Sequence, residues 1–199
     1  MKVFSAFYFG PIDYFANLAQ NETFRIEQFE NFQKQTYRNR CYVLGANGPL
    51  MLGIPILHNG KRVLKDIQPS YDYDWQKEHL KSLIAAYKSS PYFEFYEDDV
   101  TPLFERKEKY LLDINLKTIA FINEKLKLEL NFELTNGYEV LAENDDYRTR
   151  FNAKKNTTQI PPYYQVFGDK FEFEHNLSIL DLLFNEGPAS SNFLKQLEV

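Results

Sequence analysis

VFSAFYFGPIDYFANLAQNETFRIEQF, residues 3–29, decides how the rest of the chain is read. Val3 to Phe9 is β-branched and aromatic, the composition of a buried strand. Gly10-Pro11 breaks it, and proline suits the first turn of a helix, where its missing N–H would lack a partner anyway. Ile12, Phe15, Ala16 and Ala19 then recur at helical spacing, which predicts a short helix ending near Gln20. Thr23 to Phe29 sets Phe24, Ile26 and Gln28 against Thr23, Arg25 and Glu27, the two-residue period of a second strand. Strand, loop, helix, strand is the parallel β-α-β unit, with a right-handed crossover.

Downstream the grammar changes. Asn47-Gly48 separates Cys41–Leu44 from Leu50–Leu57, and Asn59-Gly60 precedes Arg62–Pro69, so hairpin signals predict a small antiparallel meander. Pro55 makes its second strand an edge or bulged one. Trp75, His79, Leu83 and Tyr87, with Leu80 and Ile84, give one apolar helix face capped by Asp74 and stopped by Pro91. A longer helix is expected from Pro102 through Asn123, and the alternation of Lys125–Leu134 reads as a strand. Residues 135–161 read as a polar loop insertion, Tyr163–Phe167 as a late strand, and Ser178–Asn185 as a helix capped by Ser178 with Asp181 three on. The fold expected is α/β: a single domain over 1–199 with a mixed central sheet, parallel at its start and extended by antiparallel hairpins, and helices on both faces.

Composition bounds the partners. A net charge of −5 argues against a general nucleic-acid binder. One cysteine, Cys41, excludes an intramolecular disulfide framework and a multi-cysteine metal site. The three histidines show no ligand spacing, so neither a metal nor a cofactor is expected. No apolar run approaches the roughly 20 residues of a membrane span, and Gly10-Pro11 ends the opening stretch before signal-peptide length, so a cytoplasmic protein is expected. The 18 Phe and 14 Tyr imply a ring-packed core with some rings left over to line a pocket.

Four places could carry chemistry. The first loop, with Tyr8, Gly10, Pro11 and Tyr14, leaves a strand for a helix and could hold an anion on free amides, although GxGxxG and GxxxxGK[ST] are absent and a plain tight turn explains it equally. Lys34, Arg38, Asn39 and Arg40 could grip a phosphate or carboxylate, or be solvated surface charge. His79, and Glu27 at the end of the second strand, are the candidate proton-moving groups. Their plainer readings are a hydrogen-bonded boundary histidine and, for Glu27 and Glu30, pairing with Arg38 or Arg40. Tyr164, Gln165, Asp181 and Asn185 could converge to orient a sugar hydroxyl, though helix capping accounts for Asp181 more simply. Ser5, Ser178 and Cys41 lack a base in sequence, so no nucleophilic triad is expected. Because open α/β sheets bind ligands beyond the carboxyl ends of their strands, the first loop, the basic run and His79 are expected to share one pocket.

Taken together, YFGPIDYF (8–15), YRNRCYVLGANGPLMLGIPI (37–56), WQKEHLKSLIAAYKSSPYFEFY (75–96), LLDINLKTI (111–119), PYYQVF (162–167) and NLSILDLLFNEGP (176–188) resemble the WbqC-like protein family, in a form similar to that of Bacteroides-like bacteria. Departures from the broader pattern fall at Ser5-Ala6, at Ile12-Asp13, at Glu27 and Glu30, which stand for paired aspartates, and in the shortened segment 136–161. The resemblance implies a bacterial cytosolic protein of surface-polysaccharide (O-antigen) biosynthesis. It further implies a transferase acting on an anionic nucleotide-linked sugar or activated acyl donor. The rival expectation is a non-catalytic binding or assembly protein with an aromatic partner surface, and a homodimer is left open.

Overall fold

In the computed structural model, which describes residues 1–155 and 158–199, the opening β-α-β unit forms as the sequence predicts. β1 (Val3–Ser5) pairs in parallel with β2 (Phe24–Glu27), Val3 opposite Arg25 and Ser5 opposite Glu27, across the helix α1 (Ile12–Ala19). β1 stops at Ser5 because Ala6 to Phe9 leave the sheet to fill the core. Phe7, Tyr8 and Phe9 are buried there, and Tyr8 N–H donates to Tyr37 O. The hairpin of β3 (Arg40–Gly45) and β4 (Gly48–Gly53) turns through Ala46-Asn47, with Gly48 at φ +103 taking the left-handed position that glycine occupies without strain. It forms a two-stranded sheet of its own, so the mixed α/β class holds with its strands divided between two sheets.

The meander does not continue. Pro55 and Pro69 have no N–H to donate, and beyond β4 only isolated bridges survive, Ile56 with Pro69 and Asn31 with Val63, around a 3-10 turn at Leu64–Asp66. α2 (Trp75–Tyr87) forms as predicted, except that Asp74 precedes it without a side-chain capping hydrogen bond. α3 (Phe93–Val100) follows it, burying Phe93, Tyr96 and Val100 at i, i+3 and i+7. The long helix expected from Pro102 is two: α4 (Pro102–Glu105) and α5 (Leu111–Leu126). The intervening Arg106–Tyr110 has little to bury, and its carbonyls at Arg106 and Glu108 accept from Gln76 Nε2 and Tyr71 Oη instead.

The alternation of 125–134 is only partly strand: α5 runs on to Leu126, and 127–131 form an irregular turn. Leu126 closes the buried stripe of Ile119 and Ile122, Lys127 at φ +51 ends the helix, and Glu129 at φ +58 turns the chain again. Only β5 (Phe132–Leu134) is strand, parallel to β2 on its other side, giving the order β1-β2-β5. Residues 135–161 are irregular, apart from 156 and 157, which lie outside the described residues. Yet the segment buries Tyr147, Arg148, Phe151 and Ile160, and Val3 bridges to Asp146, which covers the outer edge of β1. Tyr163–Phe167 is not a strand. α6 (Ile179–Glu186) and α7 (Ser190–Gln196) complete the chain, α7 packing on α1.

α6 ends at Gly187, with φ +54 and ψ −129, where a Cβ would lie 2.5–2.7 Å from Tyr92 ring carbons. Gly187→Ala therefore combines backbone strain with a clash, each worth about 1–3 kcal/mol. At about 2–4 °C per kcal/mol for a chain of this size, its melting temperature should fall by roughly 5–15 °C. A thermal melt within about 2 °C of wild type would contradict this packing.

Candidate functional site

The carboxyl ends of the three parallel strands carry polar residues in a row: Ser5 ends β1, Glu27 ends β2 and Thr135 follows β5. All three are buried, and each is tied to an arginine or to its partner. Glu27 Oε1 accepts from Thr135 Oγ1 at 2.7 Å and Phe29 N–H at 2.8 Å, and Oε2 accepts from Arg148 Nη1 at 3.1 Å. Arg148 is gripped on its other side by Asp146, Nε to Oδ1 at 2.8 Å and Nη2 to Oδ2 at 2.6 Å, and that guanidinium holds the Asp146 carboxyl below its usual range.

Arg38 is buried beside them. Its Nε and Nη2 form a two-pronged pair with Glu30, at 2.9 and 2.5 Å, and Nη2 also donates to Ser5 Oγ at 2.7 Å and Arg148 O at 3.0 Å. Pairing is thus the role of both carboxylates, Glu30 with Arg38 and Glu27 with Arg148. Asn115 on α5 locks the backbone by donating from Nδ2 to Ala6 O and Arg38 O.

Arg38 and Arg148 form the floor of a polar basin of about 300 Å³ whose rim includes Gln33, Lys34, Thr36 and Lys154. Both lysines are exposed, and neither is in an ion pair among the described residues. The two arginines face carboxylates, so the basin's uncompensated charge is positive. Gln35 on the rim sits at φ +62, a left-handed conformation for a residue with a side chain. The other members of the basic run go elsewhere: Asn39 Nδ2 donates to Ile54 O, and Arg40 begins β3 opposite Gly53.

The first loop behaves as a packed turn. Ile12 N–H donates to Leu177 O, Asp13 N–H to Asn176 Oδ1 and Phe15 N–H to Pro11 O, so these amides at the start of α1 are spent inside the chain. Pro11 bridges to Ser178. Gly10 is required because a Cβ there would lie 2.7 Å from Tyr14 Cδ1, and Tyr14 Oη donates to Ser5 O.

Tyr8 pairs with His79, Oη to Nδ1 at 3.0 Å, and Tyr8 lines a second cavity that shares no lining residue with the basin. The residues expected in one pocket therefore separate: Lys34 and Arg38 line the basin, Tyr8 lines the cavity, and His79 is hydrogen-bonded to Tyr8. Burial pushes His79 down to about 4, the Gly53 backbone contact offsetting only part of this, and burial raises Tyr8, so at neutral pH an uncharged imidazole faces a phenol.

This has a consequence for stability. The unfolded histidine binds a proton near pH 6.5 and the folded one only near 4, so folding loses stability as pH falls through that window, by at most about 3 kcal/mol. Asp13 and Asp181, raised by burial, act in the opposite direction, so the comparison must be between wild type and His79→Gln, in which they cancel. Melting curves from pH 7 to 4 should show wild type losing ground to His79→Gln. Parallel curves would contradict a buried neutral imidazole.

Near the C-terminus, Ser178 caps α6 as expected, accepting from Leu180 N–H, while its hydroxyl donates to Phe9 O. Asp181 does not cap. Its buried carboxylate accepts from Tyr87 Oη at 2.7 Å, Tyr163 Oη at 2.6 Å and Gln165 Nε2 at 3.1 Å. Asn185 Nδ2 donates to the Asp181 carbonyl, and Tyr164 stays exposed. Among the described residues, no group of three His, Cys, Asp or Glu side chains is arranged to hold a metal ion, and no helix is long and apolar enough to cross a membrane.

Sequence reasoning missed Ser5, Thr135, Arg148 and Lys154. The arginine and lysine lie in a polar stretch that reads as solvent-exposed, and Arg148 meets Glu27 across 121 positions. The accumulated features are those of an open α/β domain with a polar basin at the carboxyl ends of its parallel strands. Within that class, the chain belongs to the WbqC-like protein family, which matches residues 6–160. That span includes every basin residue and stops short of α6. No curated protein and no solved structure matches the chain.

Proposed function

We propose that this chain is a transferase-type enzyme of bacterial surface-polysaccharide (O-antigen) biosynthesis that binds an anionic, nucleotide-linked sugar or activated acyl donor in the basin. One observation carries the reading: two exposed lysines, Lys34 and Lys154, without ion pairs, stand over two buried arginines held rigid by carboxylates, at the carboxyl ends of parallel strands. Lysine offers a mobile point charge suited to phosphate oxygens, while the paired arginines set the shape and field of the floor. Glu27 acts by positioning Arg148. His79 has no proton-moving role in this reading, because its hydrogen-bond partner Tyr8 lines a separate cavity and not the basin. The family's resemblance to surface-polysaccharide proteins supplies the substrate class.

The test is a thermal-shift panel of nucleotides, nucleotide-sugars and acyl-nucleotides on the full chain. A ligand at a hundred times its Kd should stabilise by about 2.7 kcal/mol, a shift of several degrees. No shift across the panel, together with stable self-association, would favour a non-catalytic assembly protein instead.

A further inference from the structure

The break between α4 and α5 leaves a partly open space that the proposed reaction does not use. This cavity of about 160 Å³ is walled by Tyr8, Phe9, Leu103, Phe104, Ile114 and Thr118. An apolar cavity near 150 Å³ takes one benzene ring, so the space is the size of a single six-membered ring.

The wall polar groups are already occupied. Tyr8 Oη faces His79 Nδ1, and Thr118 Oγ1 accepts from Phe9 N–H and lies within hydrogen-bond reach of Phe7 O and Asn115 O. Phe104 lies parallel to Phe9, ring centroids 6.0 Å apart. The interior therefore asks a ligand for apolar contact and no hydrogen bond.

The rim differs. Lys117 is paired with Glu108, which neutralises both, whereas the exposed Arg106 guanidinium has no partner among the described residues. Among the described residues lining the cavity, the uncommitted charge is this cation.

A third observation marks the wall as built. Phe9 holds φ +41, a left-handed backbone costing a bulky residue about 1–3 kcal/mol, and is kept there by Thr118 at its N–H and by Ser178 Oγ donating to its carbonyl. Such strain collects at ligand sites because surrounding contacts must over-determine it.

We propose that this cavity is a second binding compartment, separate from the basin, for a small anion with a ring-sized apolar body, an aromatic carboxylate being the simplest chemistry that fits. The ring fills the space between Phe9, Phe104 and Ile114, and the carboxylate meets Arg106.

Saturation-transfer NMR on the full chain tests it with three probes: benzoate, its neutral counterpart benzamide, and acetate. Benzoate should bind, benzamide about fivefold more weakly, and acetate not at all. Arg106→Ala, a surface change that leaves packing alone, should bring benzoate to the affinity of benzamide. Leu103→Trp, filling the cavity from a half-buried position, should remove both. Absent benzoate binding, acetate binding as well as benzoate, or benzoate binding unchanged by Arg106→Ala would each overturn the proposal. These outcomes do not depend on whether the basin binds a nucleotide.

Discussion

Arg38→Met should lower stability by about 3–5 kcal/mol, because it strands a buried carboxylate rather than merely removing a contact. Glu30 is 4% exposed and would lose both prongs of its pair, while Ser5 Oγ and the Arg148 carbonyl would each lose a donor. In a chain of this length the melting temperature should drop by roughly 10–15 °C. Combining Arg38→Met with Glu30→Gln should recover part of that loss, since no unpaired charge then remains inside. A single-variant loss below about 1 kcal/mol would mean that Arg38 is solvated and that the basin lacks its rigid floor. This buried pairing also makes Arg38 a poor probe of ligand contact, because its variant would change stability and the shape of the basin floor along with any contact.

The rim lysines make the better probe. Lys34→Glu with Lys154→Glu turns two attractive charges into two repulsive ones at positions exposed to solvent, so the fold should tolerate the change. Like-charge juxtaposition against a diphosphate costs several kcal/mol, and each 1.4 kcal/mol is tenfold in affinity, so binding should weaken by about a hundredfold or more. Calorimetric titration at low and at physiological salt checks it, and the wild-type affinity should fall as salt rises while the double variant responds little. Equal affinity in the two proteins would move the anion site away from this basin.

The fold was legible where local pattern and tertiary contact agree. The opening unit was readable because β2 alternates and Gly10-Pro11 punctuates, and α2 because its apolar stripe repeats every four residues. α3 was hidden by Pro91: a proline can end one helix and leave the next free to begin two residues later. The stretch from Leu126 to Leu134 misled because alternate residues of a helix end and its exit turn fell into the two-residue period of a strand.

The site was legible in part. Lys34 and Arg38 belong to one basic run beside a strand end, and a local signal of that kind survives in sequence. Their partners do not, because Glu27–Arg148 and Ser5–Arg38 are long-range meetings of residues that look ordinary alone. Asp181 illustrates the opposite error: helix-start spacing offered a local explanation, while burial delivered its carboxylate to two tyrosines and a glutamine from elsewhere.

The most direct measurement is a crystal structure of the chain grown with a nucleotide-sugar that stabilises it. The account predicts the diphosphate seated in the basin between Lys34 and Lys154, with the Arg38–Glu30 and Arg148–Glu27 pairs unbroken beneath it. A ligand bound away from both lysines, or one that displaces those carboxylates to reach the arginines, would contradict it.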